Sequence, residues 1–190
     1  MKRERGTVGR PRASSRDMIE EAAAELFLEQ SYAGTTLDEI TQRAGVSRAT
    51  FFNYFSSKSD LLWIDADRAI ESFSEKLASG AGVEDAALAV AAEVGPERVP
   101  LAVTESDVMG TGEELLASGL VRVAKVADLI RAALAAEAPG TQGSLTVTVR
   151  ANALAGAIIA AWGAWIRGGI DRRPLDVYLG EALALVKLEQ

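Results

Sequence analysis

The stretch TLDEITQRAGVSRATFFNYFSSK, residues 36–58, predicts two short helices joined by a glycine turn. Thr36 and Glu39 have the spacing of a capping box, in which each side chain bonds the backbone N–H of the other residue. Gly45 can adopt the positive φ that ends a helix, and Ser47 is a good N-cap for the next one. This order of signals is typical of a helix-turn-helix, whose second helix enters the major groove of DNA.

The second helix of this motif has one apolar face and one short polar face. At about 100° per residue, Phe51 and Phe55 share the face that anchors the helix to a core. The opposite face carries small, amide or hydroxyl side chains, which can bond or touch base edges. The residues predicted to contact DNA are Arg48, Ala49, Thr50, Phe52 and Asn53, together with Thr36 and Ser47, and with Tyr54 and Lys58 as phosphate contacts. The same polar residues also suit an ordinary solvated surface, and their combination behind a basic arm favours DNA.

That arm is the N-terminal stretch of residues 1–16, in which six Lys and Arg stand against one Glu. Its Gly, Pro and Ser content predicts disorder in the absence of DNA. Arg10 and Arg12, in the sequence GRPR, resemble side chains that lie in a narrow A·T-rich minor groove. The alternative is a solvated tail that adds only sequence-independent attraction to phosphates.

The net charge of −7 arises entirely from the second part of the chain. Residues 1–60 contain nine Lys and Arg against nine Asp and Glu, whereas residues 61–190 contain eleven against eighteen. A neutral N-terminal part with a basic tip, followed by an acidic part, predicts that the N-terminal part is steered toward DNA. The acidic composition therefore does not exclude nucleic acid as a partner.

The composition argues against catalysis. The 190 residues contain no Cys and no His, which excludes disulfides and removes the commonest metal ligand and the usual general base at neutral pH. The carboxylates Glu105, Asp107, Glu113 and Glu114 have no diagnostic spacing. We predict no catalytic residue, no metal site and no cofactor, and an enzyme is the less favoured alternative. The charged, polar start lacks a signal-peptide apolar region, so we expect a cytoplasmic protein.

Residues 14–63 resemble the N-terminal domain of TetR-family transcriptional regulators. The resemblance rests on AAAELF at 22–27, YAGTT at 32–36, AGVS at 44–47, and YF at 54–55 followed by Lys58. It implies a homodimeric repressor that leaves a pseudo-palindromic double-stranded operator when a small apolar or amphipathic effector binds. The alternatives are an activator or an effector-independent DNA binder. Phe51-Phe52-Asn53 stands where the family often has Leu-Tyr-Tyr, so no base preference can be carried over.

The rest of the chain predicts helices. They are a long helix starting at Ser57 or Ser59, Val83–Val94, one short helix within 96–112, Glu113–Glu137, Ser144–Arg167, and a last helix from Pro174 to about Leu188. With three N-terminal helices this gives an all-α fold of about nine. The predicted organisation is a disordered arm at 1–13, a helix-turn-helix domain at 14–57, and an effector-binding and dimerisation domain at 58–190. A strand is the alternative at Leu145–Val149, which is rich in β-branched residues.

Residues 151–166, ANALAGAIIAAWGAWI, are apolar nearly all round. This pattern fits a membrane span or a helix buried on two faces. The run is shorter than the ~20 residues of a span, so we predict burial and no membrane. The resemblance implies that the last two helices pair with those of a second copy, and the predicted dimer contacts are Gly156, Ala160, Gly163, Tyr178, Ala182 and Leu185.

The resemblance also implies a small-molecule pocket among the central helices. The residues predicted to line it are Trp63, Phe73, Met109, Leu120, Val121, Asn152 and Trp162. Most are apolar, which favours an apolar or amphipathic effector, and Asn152, Arg150 or Arg122 could orient a polar group on it. The alternative for the large apolar residues is plain core.

Overall fold

A computed structural model describes residues 14–95, 99–138, 140 and 143–186. Over these residues the chain forms ten α-helices and two 3-10 helices without a strand, which confirms the all-α prediction. The chain divides into two compact units. We call the unit that ends at Leu61 the head and the unit that begins at Leu62 the body.

From residue 14 onward the head contains three α-helices, α1 (Ser15–Gly34), α2 (Leu37–Arg43) and α3 (Arg48–Phe52). Each begins at a polar cap, because the hydroxyls of Ser14, Thr36 and Ser47 accept backbone N–H groups that have no partner within the helix. The buried core of the head consists of Ile19, Ala22, Ala23, Leu26, Phe27, Ile40, Ala44, Phe51 and Phe55. Both capping boxes, at Ser14 and at the predicted Thr36, are formed.

The C-terminal end of α1 is kinked at Ser31, which has a positive φ of 67°. A non-glycine residue in this region is strained and persists only where its surroundings hold it. Thr35 supplies part of that support, since its buried hydroxyl donates to the carbonyl oxygen of Ser31 at 2.8 Å. The kink therefore fixes the connection that leads into α2.

The part of the body that the structure describes contains seven α-helices. They are α4 (Ile64–Ala78), α5 (Val83–Glu93), α6 (Leu101–Thr104), α7 (Ser106–Met109), α8 (Gly112–Glu137), α9 (Leu145–Arg167) and α10 (Leu175–Val186). One 3-10 helix, Lys58–Leu62, spans the boundary of the two units, and the other, Gly169–Asp171, lies between α9 and α10.

Two predictions about these helices were inaccurate. The helix expected from Ser57 or Ser59 is divided, because Trp63 has non-helical φ and ψ angles between the 3-10 helix and α4. The segment expected to hold one short helix holds two, separated at Glu105, so the described residues contain ten α-helices rather than nine. The last helix ends at Val186 among the described residues, and residues 187–190 lie outside them.

Helix α9 lies at the centre of the body and packs on α8 and α10. Its first turn contains the β-branched stretch at 145–149, and it is helical because Ser144 caps it by accepting the Val147 N–H. By length and apolar composition α9 would also suffice for a membrane span, but this is weak evidence, since core helices of soluble proteins pass the same test. Trp165, fully buried on α9, shows that this helix contributes to the core.

Candidate nucleic-acid interface and ligand cavity

The turn between α2 and α3 is fixed by backbone geometry and by a cap. Gly45 has a φ of 66°, and the next residue, Val46, donates its N–H to the carbonyl oxygen of Thr41 at 2.9 Å. Ser47 then starts α3 by accepting the Thr50 N–H at 3.0 Å. These contacts hold α3 at a defined angle to α2, which is what a groove-reading helix requires.

The inner face of α3 is anchored by aromatic packing. Phe51 and Phe55 are buried, and their ring centroids are 5.5 Å apart. The guanidinium of Arg16 lies 5.6 Å from the centroid of Phe55. The apolar anchor predicted for these two residues is therefore present.

The outer face of α3 is open to solvent. Arg48, Ala49 and Asn53 are exposed, and Phe52 and Tyr54 expose 51% and 45% of their surface. Helix α3 ends at Phe52, so Asn53 is its C-cap and Tyr54 follows it, rather than both lying within the helix as expected. Solvent-exposed aromatic, amide and basic groups on one ridge are suited to contacts with bases and phosphates.

The predicted DNA contacts Ser47, Arg48 and Thr50 have side-chain partners within the head. The hydroxyl of Thr50, which is half-buried, lies 2.8 Å from that of Ser47. The Arg48 guanidinium lies 3.4 Å from the Asp38 carboxylate, with both side chains mostly exposed. An exposed pair of this kind is weak, so DNA phosphates can compete for Arg48.

Lys58 forms contacts within the head, whereas the sequence predicted a contact with a DNA phosphate. Its ammonium donates to the carbonyl oxygens of Tyr32 at 2.7 Å and Thr35 at 2.8 Å, and it lies 4.0 Å from the Tyr32 ring centroid. These groups belong to the kinked end of α1. Lys58 therefore fastens the connection between α1 and α2, with its charge directed into the head.

Thr36 also has an internal role. Its backbone N–H and hydroxyl donate to the Glu39 carboxylate at 2.8 and 2.7 Å. The pKa of the Glu39 carboxyl lies below its usual range mainly because of these donors, the backbone N–H first. At neutral pH this carboxylate is ionised and complements the N-terminal end of α2. The predicted contacts Arg10 and Arg12 lie outside the described residues.

The body contains a cavity of about 550 Å³. Its walls are contributed by α4, α5, α8, α9 and α10 and by residues 100–106. The residues that line it are Leu62, Trp63, Ala66, Ala69, Ile70, Phe73, Ala87, Val90, Pro100, Val103, Ser106, Gly112, Leu115, Leu116, Gly119, Leu120, Arg122, Val123, Val126, Ile158, Ile159, Trp162, Gly163, Ile166 and Leu179. The volume lies within the about 300–1,000 Å³ range of small-molecule sites.

Four of the seven predicted lining residues, Trp63, Phe73, Leu120 and Trp162, lie on this wall. The other three do not. Met109 is buried but does not line the cavity, and Asn152 is exposed. Val121 does not line the cavity although its neighbour Leu120 does; both are 71% exposed, and one residue along α8 turns the side-chain direction by about 100°. Sequence reasoning missed the α9 residues Ile158 and Ile166, which it assigned only to a doubly buried helix.

Trp63 is locked onto α8. Its indole Nε1 donates to the Ser118 hydroxyl at 2.8 Å, and that hydroxyl donates to the carbonyl oxygen of Glu114 at 2.6 Å. Its ring packs so closely on Gly119 that a Cβ there would lie 3.0 Å from two ring carbons. The residue held on α8 in this way is also the one at which the chain leaves the helical path between the 3-10 helix and α4.

An ion pair lies beside Trp63. Arg122 donates through Nε and Nη2 to the two carboxylate oxygens of Asp67 at 2.9 and 2.6 Å. The Arg122 side chain is 13% exposed, and its guanidinium lies 5.1 Å from the Trp63 ring centroid. The pair is bidentate, and its arginine side chain is less exposed than that of the bidentate Arg43–Glu29 pair of the head, 13% against 37%. Among the described residues, no cluster of acidic side chains suited to a metal ion is present.

The predicted dimer contacts differ in exposure. Gly156, Ala160 and Leu185 are exposed, Leu185 to 88%, whereas Tyr178 and Ala182 are half-buried. Gly163 lies on the cavity wall, and a Cβ there would lie 3.2 Å from Nη1 of Arg167. The dimer surface stays a prediction, with which the exposure of Gly156 and Ala160 on α9 and of Leu185 on α10 is compatible.

Comparison with known proteins relates the head to a family of bacterial regulatory proteins. Residues 19–62 match the family described as bacterial regulatory proteins, tetR family. MftR of Mycobacterium tuberculosis, named for the regulation of mycofactocin biosynthesis, is 35% identical over 78 residues, covering 41% of this chain and 36% of that protein. The transcriptional activator FasR of Mycolicibacterium smegmatis is 36% identical over 62 residues, covering 33% and 28%. The chain thus spans about a third of the length of these relatives.

Solved structures match over most of the chain. NalD of Pseudomonas aeruginosa, the secondary repressor of the MexAB-OprM efflux pump, has a TM-score of 0.55 at 19% identity, over 90% of this chain and 94% of that one. Thermus thermophilus FadR, a repressor solved with lauroyl-CoA, has a TM-score of 0.51 at 26% identity, over 92% and 96%. At these identities the similarity to NalD establishes the fold alone.

Proposed function

We propose that this chain, a member of the TetR family of bacterial regulatory proteins, is a homodimeric repressor that a small effector releases from its operator. The observation that carries the proposal is the exposed outer ridge of α3, held on buried Phe51 and Phe55 within the residues that match the family. In this proposal residues 1–13 are the basic arm, 14–57 read DNA, and 58–190 bind effector and form the dimer. A chromosomal operator implies work in the cytoplasm.

Within the head, Ala49, Phe52 and Asn53 are the proposed base-reading residues, because they are exposed. Asn53 is also the C-cap of α3, and the Phe52 ring also packs edge-on against Phe51, with ring centroids 5.4 Å apart. Arg48 and Tyr54 would contact phosphates. Two heads need a fixed spacing to read a pseudo-palindrome. The exposed residues Gly156 and Ala160 of α9 and Leu185 of α10 are the proposed place where two bodies meet.

The cavity supports effector control. FadR was solved with lauroyl-CoA and SmeT with triclosan, and the present cavity lies in a body of the same fold. Trp63 on its wall directly follows the 3-10 helix Lys58–Leu62, and Lys58 fastens the head's α1–α2 connection. A ligand that displaces Trp63 would therefore act on the 3-10 helix Lys58–Leu62, which directly precedes Trp63 in the chain and contains Lys58. A coupling of about 1–3 kcal/mol would change DNA affinity about 5- to 150-fold.

A second candidate function is transcriptional activation, which the resemblance to the activator FasR favours. It shares the head and differs only in what DNA binding does to transcription. We propose no catalytic role, since the matched relatives are named as transcriptional regulators.

Selection of bound sequences from random DNA by the full-length protein tests the proposal. We expect enrichment of one inverted repeat, bound by a dimer. Failure to enrich any sequence would overturn the DNA-reading role. A reporter under the recovered operator then separates repression from activation, and release of the operator by a metabolite set tests effector control.

A further inference from the structure

The wall of the cavity is almost free of polar side chains. Among the described residues that line it, the hydroxyl of Ser106 and the guanidinium of Arg122 are the polar groups other than the indoles of Trp63 and Trp162. The Trp63 indole N–H already donates to Ser118. A ligand therefore meets aliphatic and aromatic surface over nearly all of the wall, so apolar contact must supply most of its affinity.

Among the described residues that line this wall, Arg122 is the one cation, and its charge is neutralised by Asp67. Asp67 accepts from Nε and Nη2 of Arg122 through both carboxylate oxygens, and Nη1 donates to the carbonyl oxygen of Ser118 at 3.2 Å. Asp67 itself is outside the lining set. All three guanidinium nitrogens thus have protein acceptors, and the pair presents no net charge to the cavity.

We infer that the cavity selects uncharged, largely apolar ligands and discriminates against carboxylates of the same shape. A carboxylate entering the cavity would lose its hydration without gaining a compensating cation, unless it displaced Asp67 from Arg122. An uncharged ligand avoids this cost, and the Ser106 hydroxyl can meet one hydroxyl, ester or carbonyl group. The inference rests on the proposed function for the role of the cavity and names the class of its ligand.

The test uses the full-length protein without DNA and two ligands that differ only in charge, dodecan-1-ol and dodecanoate. Each displaces the neutral dye Nile red at pH 8, with quenching of tryptophan fluorescence as a second signal because Trp63 and Trp162 line the cavity. We expect dodecan-1-ol to displace the dye at the lower concentration. Equal or tighter binding of dodecanoate to the wild-type protein would overturn the inference. The absence of saturable dye binding would overturn it as well.

Solvation alone favours the alcohol over the carboxylate, so the decisive quantity is how the ratio of the two affinities changes in Asp67→Asn. This variant removes the charge that neutralises Arg122. We expect the ratio to shift toward dodecanoate by about tenfold or more, since an opposite charge within about 4–6 Å favours an ionised carboxylate to that extent. An unchanged ratio in a folded Asp67→Asn protein would refute the charge argument.

Two controls bracket this result. Asp65→Asn makes the same change of charge on the same helix, where Asp65 forms only an exposed pair with Arg68 at 3.8 Å, and it should keep the wild-type ratio. The double variant Asp67→Asn/Arg122→Met removes both charges and should return the ratio toward that of the wild type. A shift of equal size in Asp65→Asn would show that net charge, rather than the Arg122 pair, sets selectivity.

The outcome is separable from that of the DNA experiment. Release of the operator by dodecanoate with equal affinity for both ligands would leave the repressor proposal intact and remove the inference about ligand class. If the protein shows the expected ligand preference but enriches no DNA sequence, the inference about ligand class stands and the repressor proposal fails.

Discussion

The head and the body use different interactions to define their helices. In the head all three α-helices begin with a hydroxyl that caps a backbone N–H, at Ser14, Thr36 and Ser47. In the body, α4 to α8 have no such side-chain cap, and only α9 among the helices with a described cap begins with one, at Ser144.

The difference has a physical consequence. A cap contributes about 0.5–2 kcal/mol through contacts three residues apart, so the head is defined largely by short polar patterns. The body depends on burial of apolar side chains from distant segments, and its cavity is a place where that burial is incomplete. The head thus has a fixed shape suited to DNA, and the body has room for a ligand.

The prediction with the largest expected effect removes one core side chain from each unit. Phe51→Ala should destabilise the head by about 3–5 kcal/mol, because it leaves a cavity under α3. DNA binding should be lost while Nile red binding by the body persists. Gel shifts and dye titrations on the same preparation measure both.

Ile130→Ala is the matched change in the body, where Ile130 is fully buried. We expect the free energy of unfolding of the body to fall by about 2–5 kcal/mol. Nile red binding should weaken before DNA binding does. If either substitution abolishes dye binding and the fold of the head together, the two units unfold as one and the contrast breaks down.

Lys58→Met tests the anchor of the α1–α2 connection. The change keeps the length of the side chain and removes two charge-assisted hydrogen bonds, so we expect the free energy of unfolding of the head to fall by about 2 kcal/mol. DNA affinity should fall for all sequences, with the slope of affinity against salt unchanged. A slope reduced by about one would instead identify Lys58 as a phosphate contact.

Asn53→Ala tests base reading on the outer ridge. We expect a loss of about 1 kcal/mol of discrimination at one base position of each half-site, at the low end for a base-edge contact. Stability should change little, since Asn53 is exposed. Gel-shift titrations against operators mutated at each position measure this. Equal weakening at every position would remove Asn53 from the base-reading set.

The smallest effect concerns the capping box of α2. Hydrogen bonds from Thr36 lower the pKa of Glu39 in the folded head, so the ionised carboxylate stabilises the head above the unfolded pKa of about 4.3. That contribution is lost as the pH falls through the lower, folded pKa. Glu39→Gln should therefore lower the melting temperature at pH 7, with the difference from wild type shrinking toward pH 3. A difference independent of pH would show that ionisation of Glu39 does not matter.

Much of the head could be predicted from the sequence because its signals are local. Thr36 and Glu39 are three residues apart, Ser47 and Thr50 likewise, and Gly45 requires only its own φ. The resemblance to the family, confirmed by the match at 19–62, rests on the same residues. The position of Lys58 was not predictable in this way, since its partners Tyr32 and Thr35 lie 26 and 23 residues earlier.

The sequence by itself determined the all-α fold, the starts of α2 and α3, and the resemblance of the head to the tetR family at residues 19–62, because hydrophobic period, caps and turns act over a few residues. The tertiary structure decided which body residues form the cavity wall and which ion pair stands beside it. Asp67 and Arg122 are 55 residues apart, and Leu120 lies on the wall whereas its neighbour Val121 does not, although both are 71% exposed. Such pairings depend on how whole helices pack, which no local pattern in the chain specifies.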